Sequence, residues 1–324
     1  MKVVRDEAEN QVHEATVIPA QGTIERAYMS PLVKSILVEN GLNFEIEKEP
    51  MQGAVSGRPS SYFGLYNSVT NECIGTCKAG YHISQNFEVV DLVLRGTEIF
   101  GDEISVTKAG SINGGRKIFI QLKIKGISKV SNDIVERFIT IIDSNDGSTS
   151  LSVGIGDLTL SCQNQFYKFY KAGEAKFRHS ASLAEKLKSL PFLIETALKE
   201  SHKQVDIYNK LADFQIDESK KHYMVKAMLG HDRKITSPDN YAKLSSRSLN
   251  IMDKVYNHIN KEMEDKGNNL WGLHSGITSF TTHDASAPSR DNGRFESLVR
   301  GKNYDMNQAS LQYVMRESGL FEVA

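Results

Sequence analysis

The stretch AGSINGGRKIFIQLKIK, Ala109 to Lys125, decides the fold. Asn113-Gly114-Gly115 is a hairpin-turn signal, because glycine reaches positive φ without steric cost. Beyond it Ile118, Ile120, Leu122 and Ile124 alternate with Lys117, Phe119, Gln121, Lys123 and Lys125. Successive side chains on a strand point to opposite faces, so one face is apolar and the other basic with a single ring in it. Glu103 to Lys108 supplies the strand before the turn. Asp133 to Ile142 and Thr149 to Ile155 form a second hairpin, turned by Asn145-Asp146-Gly147, where Asp bonds its own backbone and Gly supplies positive φ.

On the N-terminal side, Tyr62, Gly64, Tyr66 and Ser68 alternate with Phe63, Leu65 and Asn67, which predicts a strand, and Asn43 to Glu49 predicts another. Ser30 as cap with Pro31 at the first helical position opens a short helix that Gly41 ends. Phe87 to Leu94 reads as a second short helix, and Gln163 to Lys171 as a third, with Lys168 and Lys171 sharing a surface. On the C-terminal side apolar residues recur at helical spacing. One stripe runs through Leu183, Leu187, Leu190, Ile194, Ala197, Val205, Tyr208 and Ala212, with a break or restart near Ser189 and Pro191. A second runs through Leu249, Met252, Tyr256, Ile259 and Met263, and a third, carrying the only tryptophan, Trp271, through Leu270, Leu273, Ile277 and Phe280. A last helix is expected from about Met306 to Arg316.

The expected fold class is α+β, with an antiparallel, hairpin-rich core followed by a mainly helical C-terminal part. The expected division is a mobile N-terminal arm over 1–30, an α+β core over 31–180 and a helical region over 181–324, with a flexible polar loop near 231–246. The 324 residues are 40% hydrophobic and 24% charged, an ordinary globular composition. No apolar leader opens the sequence and no run of about 18 apolar residues occurs, so a cytoplasmic location in a bacterial host cell is expected, without a membrane partner. Three cysteines, Cys73, Cys77 and Cys162, are too few for a disulfide framework. Formal net charge is −1, but residues 101–180 hold 11 Lys+Arg against 8 Asp+Glu. That excludes an overall basic duplex reader and leaves room for a local basic face.

The basic face of the strand after Gly115 has two readings. Cations beside an exposed ring suit single-stranded nucleic acid, the cations tracking phosphates while the ring stacks on a base. The alternative is a half-buried strand whose lysines are solvated and whose Phe119 is tucked under a neighbouring helix. The candidate nucleic-acid contacts are Arg116, Lys117, Phe119, Lys123, Lys125, Lys168, Lys171 and Arg178. No phosphate loop, dinucleotide fingerprint or HExxH metal motif is present, and no catalytic residue, metal or cofactor is expected. Cys162 with His82 or His179 makes a formal nucleophile and base that nothing in the sequence brings together. Asp143, Asp146 and Asp157 make a formal carboxylate cluster for a divalent cation.

Taken in order, Tyr81-His82-Ile83-Ser84-Gln85-Asn86, Ala109-Gly110, Gly114-Gly115-Arg116, Asp146-Gly147-Ser148, Cys162-Gln163-Asn164, Arg178-His179 and Leu270-Trp271-Gly272 with Thr278 resemble the phage/plasmid-like proteins of the domain of unknown function 932 family. The resemblance runs from about residue 30 to about residue 300. The chain departs from the pattern at Asn145, where the family often has His, and at His274-Ser275. The order of elements is also similar to phage single-strand annealing proteins, an analogy of architecture. Together these imply a mobile-element DNA-metabolism protein that binds single-stranded DNA, promotes annealing or recombination without ATP, and forms a homo-oligomer. The alternatives are a structural or host-interaction phage protein working through a protein partner, and a metal-dependent nuclease.

Overall fold

The computed structural model describes residues 29–161, 163–169, 176–183, 185, 188–229 and 244–320. Most of the expected N-terminal arm and nearly all of the 231–246 loop lie outside them, as do Lys171 and Cys162. The first helix, α1 (Pro31–Glu39), begins where the cap predicts: the Ser30 hydroxyl accepts from the Val33 amide at 3.2 Å. Three strands follow, β1 (Ile46–Gln52), β2 (Pro59–Asn67) and β3 (Cys73–Lys78), in an antiparallel sheet of that order. Helix α2 (Asn86–Glu98) opens on a capping box between Gln85 and Glu88.

The larger sheet is antiparallel and runs in sequence order: β4 (Ile104–Ile112), β5 (Lys117–Val130), β6 (Asp133–Ser144), β7 (Leu151–Thr159) and β8 (Gln165–Phe169). The short β9 (Lys176–Phe177) pairs with the start of β7, on the edge that β8 continues. The hairpin turned by Gly114 and Gly115 is in register, with Ile112 opposite Lys117. The described part of the stretch read as a helix from Gln163 is instead a strand: Gln165 to Phe169 pairs with Gly154 to Leu158. Both sides of this strand are needed inside, Phe166 in one core cluster and Tyr167 in another, and that burial outweighs helical spacing.

Helices clothe both faces of the sheet. One face, including Ile118, Ile120, Leu122 and Ile124, packs on α1, α2 and the first half of α3 (Leu190–Asp213). Pro191 stands in the first turn of α3, so the expected restart is where that helix begins. Around the other face lie α4 (Glu218–Met228), α5 (Ser246–Lys266), α6 (Leu270–His283), α7 (Gly293–Arg300) and α8 (Lys302–Glu317). Helix α6 is buried along almost its whole length, and Trp271 donates to Asp133 Oδ2 at 3.1 Å.

The fold is α+β, as its pattern predicts, but the second face of β5 is not open. Phe119 is 1% exposed, packed with Tyr167 of β8 and with Phe295, Leu298 and Val299 of α7. Gln121 is buried beside it, donating to Thr140 and Tyr167. Of the two readings of that strand, the ring tucked under a helix is the one the structure adopts. Among the described residues no helix is long and apolar enough to cross a membrane.

Candidate anion-binding cleft

The motif strings spread from Tyr81 to His179 meet at one end of the sheet. Asp143, at the end of β6, accepts the Ser84 hydroxyl on Oδ2 and the Ser144 amide on Oδ1 at 2.8 Å. His179 Nε2 stands 2.9 Å from Asp143 Oδ1, and its Nδ1 stands 3.1 Å from the His82 carbonyl oxygen. Nδ1 therefore faces a carbonyl acceptor, while Nε2 lies at ion-pair distance from the carboxylate without the alignment of a full hydrogen bond, a setting that favours the imidazolium. Burial pulls the His179 pKa down, but the close contact and charge of Asp143 outweigh it and the net shift is upward. Tyr81 stacks on the ring with centroids 4.9 Å apart and donates to the Ser144 carbonyl.

Beside this pair Asn145 donates to Asn86 Oδ1 at 3.0 Å and to the Gly115 carbonyl at 2.9 Å, while Asn86 donates to the Leu42 and Phe44 carbonyls. Gly115, at φ +88°, leaves room for the Phe44 ring, which a Cβ would meet at 2.7 Å. The network is a clamp between the two sheets. It is not a nucleophile triad, because the serine donates to the carboxylate and stands 3.5 Å from the imidazole.

The outer side of the same turn forms a wall of a cleft of about 530 Å³. Ser148 and Thr149 come from the β6–β7 turn, Lys117 from the start of β5, and Arg290, Glu296, Ser297, Arg300, Gly301 and Lys302 from the loop before α7, from α7 and from the start of α8. The second wall is pinned to the first at the Gly-Gly turn: Asn292 donates to the Ser111 carbonyl at 2.7 Å and the Gly114 amide to Asp291 at 3.4 Å. Four cations thus line the cleft with one carboxylate. Glu296 accepts from Lys117 at 2.9 Å and from Arg290 Nε at 3.1 Å, and Asp146 stands 4.0 Å behind Lys117. Arg300 donates to the Thr149 hydroxyl through one nitrogen, and its buried Nη1 has no hydrogen-bond partner. Burial draws the Arg300 pKa down from its ordinary value, leaving the guanidinium charged in a poorly solvated place. The start of α8 adds the positive end of a helix dipole. Such a set can accept an oxyanion by charge-assisted hydrogen bonds.

The sequence-derived contacts scatter. Lys117 is in the cleft. Arg116, beside it, donates to the Ile74 carbonyl and joins the two sheets. Phe119 is sealed in the core and cannot stack on a base. Lys123 is tied to Glu136 across the hairpin. Lys125 and Arg178 are exposed, Lys168 is half-buried on strand β8 opposite Ile155 rather than on a helix, and Lys171 lies outside the described residues. Sequence reading missed Arg290, Glu296, Arg300 and Lys302. The one local signal was the basic run Arg300-Gly301-Lys302, near which no strand or motif drew attention.

The carboxylate cluster does not form. Asp157 lies opposite Arg137 on β6, and Asp143 is six residues further along that strand, about 20 Å at strand rise. Among the described residues no group of three His, Cys, Asp or Glu side chains could hold a metal ion, so the divalent-cation reading loses its site. Cys73 is exposed and Cys77 buried, and both are free thiols.

The family described as Domain of unknown function (DUF932) matches the chain over residues 73–312. No curated protein and no solved structure matches it.

Proposed function

The chain belongs to the family described as Domain of unknown function (DUF932), and from that premise we propose that it binds single-stranded nucleic acid, seating backbone phosphate in the cleft between the β6–β7 turn and α7–α8. One observation carries the reading: Lys117, Arg290, Arg300 and Lys302 line one cleft that holds a single carboxylate, with an Arg300 nitrogen left without a partner. Hydroxyls of Ser148, Thr149, Ser286 and Ser297 add neutral donors of the kind that hold phosphate oxygens. A cleft of about 530 Å³ has room for a nucleotide and not for a duplex. The near-neutral charge of the whole chain suits few phosphate contacts rather than a long basic track.

This replaces the face of β5 as the binding surface and keeps only Lys117 from it. Binding is electrostatic here, since no aromatic side chain lines the cleft. With one or two phosphates seated in a cleft of that size, log K should fall against log salt with a slope of about −1. Anisotropy titration of a labelled oligothymidylate at low salt tests this. Binding that weakens with that slope and is lost in Arg300→Ala with Lys302→Ala supports it, and no binding at low salt removes it.

A further inference from the structure

Glu296 occupies the place in the cleft where an incoming anion would find its strongest donors. Its carboxylate takes Lys117 on Oε1 and Arg290 on Oε2, and its side chain is 9% exposed. Each of those cations is what an oxyanion would need, and both are already paired. Burial pushes the Glu296 pKa up, but hydrogen bonds from Lys117 and Arg290 overcome it and the net shift is downward. The carboxylate therefore stays ionised and competes as an anion at neutral pH.

We infer that Glu296 is a resident counter-anion, an internal competitor that a phosphate must displace from Lys117 and Arg290 before the cleft is fully engaged. The inference rests on the phosphate reading of the cleft and adds its regulation. Three features make the exchange feasible. Arg290 lies in a loop with its side chain 43% exposed, so its guanidinium can turn away without unpacking a core. Lys117 keeps Asp146 at 4.0 Å when Glu296 leaves, and so is not stranded. The exposed Lys302 at the rim gives an arriving phosphate a first foothold before the pairs on Glu296 are exchanged, and Arg300 Nη1, buried and without a partner, becomes its donor once the phosphate is seated.

A group that merely ties α7 to β5 behaves differently on substitution. Loss of a tie lowers the melting temperature and leaves affinity unchanged or reduced, whereas loss of a competitor raises affinity. Full-length wild type, Glu296→Gln, Glu296→Asp and Glu296→Gln with Arg300→Ala are titrated with a labelled oligothymidylate, and in parallel with inorganic phosphate read by thermal shift. The expected result is binding about ten-fold tighter for Glu296→Gln, equivalent to about 1.4 kcal/mol, and abolished by adding Arg300→Ala. Glu296→Asp is too short to hold both cations and should gain in part, so the inference stays open to refutation if the Gln variant does not fold. Equal or weaker affinity in the folded Glu296 variants, with wild type still binding, overturns the competitor and leaves the proposed function standing. Absence of binding by every protein overturns the cleft reading itself.

Discussion

Phe119 of β5 and Phe295 of α7 pack with ring centroids 4.2 Å apart and planes tilted by 37°. Lys108 sits over both rings, 5.7 and 5.8 Å from their centroids. The pair closes the face of the hairpin that the strand pattern alone leaves open, and it also seats α7, which carries Glu296 and Arg300. Phe119→Ala should cost about 3 to 5 kcal/mol of stability through the cavity it leaves. Chemical denaturation measures the loss. If Phe119→Ala instead leaves stability intact and removes oligonucleotide binding, the ring is a contact surface after all and the packed arrangement is wrong.

The pairing of Asp143 with His179 predicts a pH dependence of definite sign. The folded-state pKa of His179 lies above its unfolded value. Its contribution is therefore complete below the unfolded imidazole's pKa, about 6.5, and is lost as pH rises through the folded value. Stability should fall on the alkaline side of neutrality, and Asp143→Asn should flatten that fall while lowering stability at pH 6 by about 3 to 5 kcal/mol, the usual result of stranding one member of a buried pair. Urea midpoints measured from pH 6 to pH 9 decide it. An unchanged slope in Asp143→Asn means the imidazole is neutral throughout.

Two further buried groups work in opposite directions. Asp157, raised to about 7 by burial, accepts from Tyr208 at 3.0 Å on Oδ2 while its Oδ1 has no partner. An acid with a raised folded pKa loses its contribution as pH climbs from its unfolded value to about 7. His274, buried and lowered to about 3, does the reverse: its contribution is present above about 6.5 and is lost as pH falls. Each slope is at most about 1.4 kcal/mol per pH unit, so between pH 4 and 6.5 they nearly cancel. Asp157→Asn should uncover a stability that rises with pH across that window. A profile parallel to wild type would show that Asp157 is ionised at all these pH values.

What the sequence disclosed and what it hid divide along the range of the interactions. Ser30, Pro31 and Gly41 define α1, and Asn113-Gly114-Gly115 the central hairpin, through neighbours a few residues away. The four inward isoleucines and leucines of β5 were legible for the same reason, since strand alternation is local. The fate of the other face was not, because Phe119 is covered by residues some 175 positions further on. The turn at Asn145-Asp146-Gly147 was legible as a turn, but its two neighbours, a clamp on one side and a cleft on the other, are supplied by His179 and by α7. The helical reading of Gln163 to Lys171 failed where an edge of β7 needed a partner, a demand no nine-residue window contains.

Gly276, in the middle of α6, sets how closely α5 can approach. A Cβ there would lie 2.4 Å from the Cα and 2.9 Å from the Cβ of Ile259, atoms that move only if one helix shifts against the other. Helix propensity alone favours Gly276→Ala by about 1 kcal/mol. Overpacking a close helix crossing costs about 1 to 3 kcal/mol and wins here, because the obstacle is backbone and branch point. Gly96 of α2 offers the comparison: its Cβ would meet the Ile194 Cδ1 at 2.9 Å, the far end of a side chain that can change rotamer. Gly276→Ala should therefore lower the melting temperature while Gly96→Ala leaves it unchanged or raises it. Equal effects of the two would mean that α5 and α6 stand further apart than their shared buried face requires.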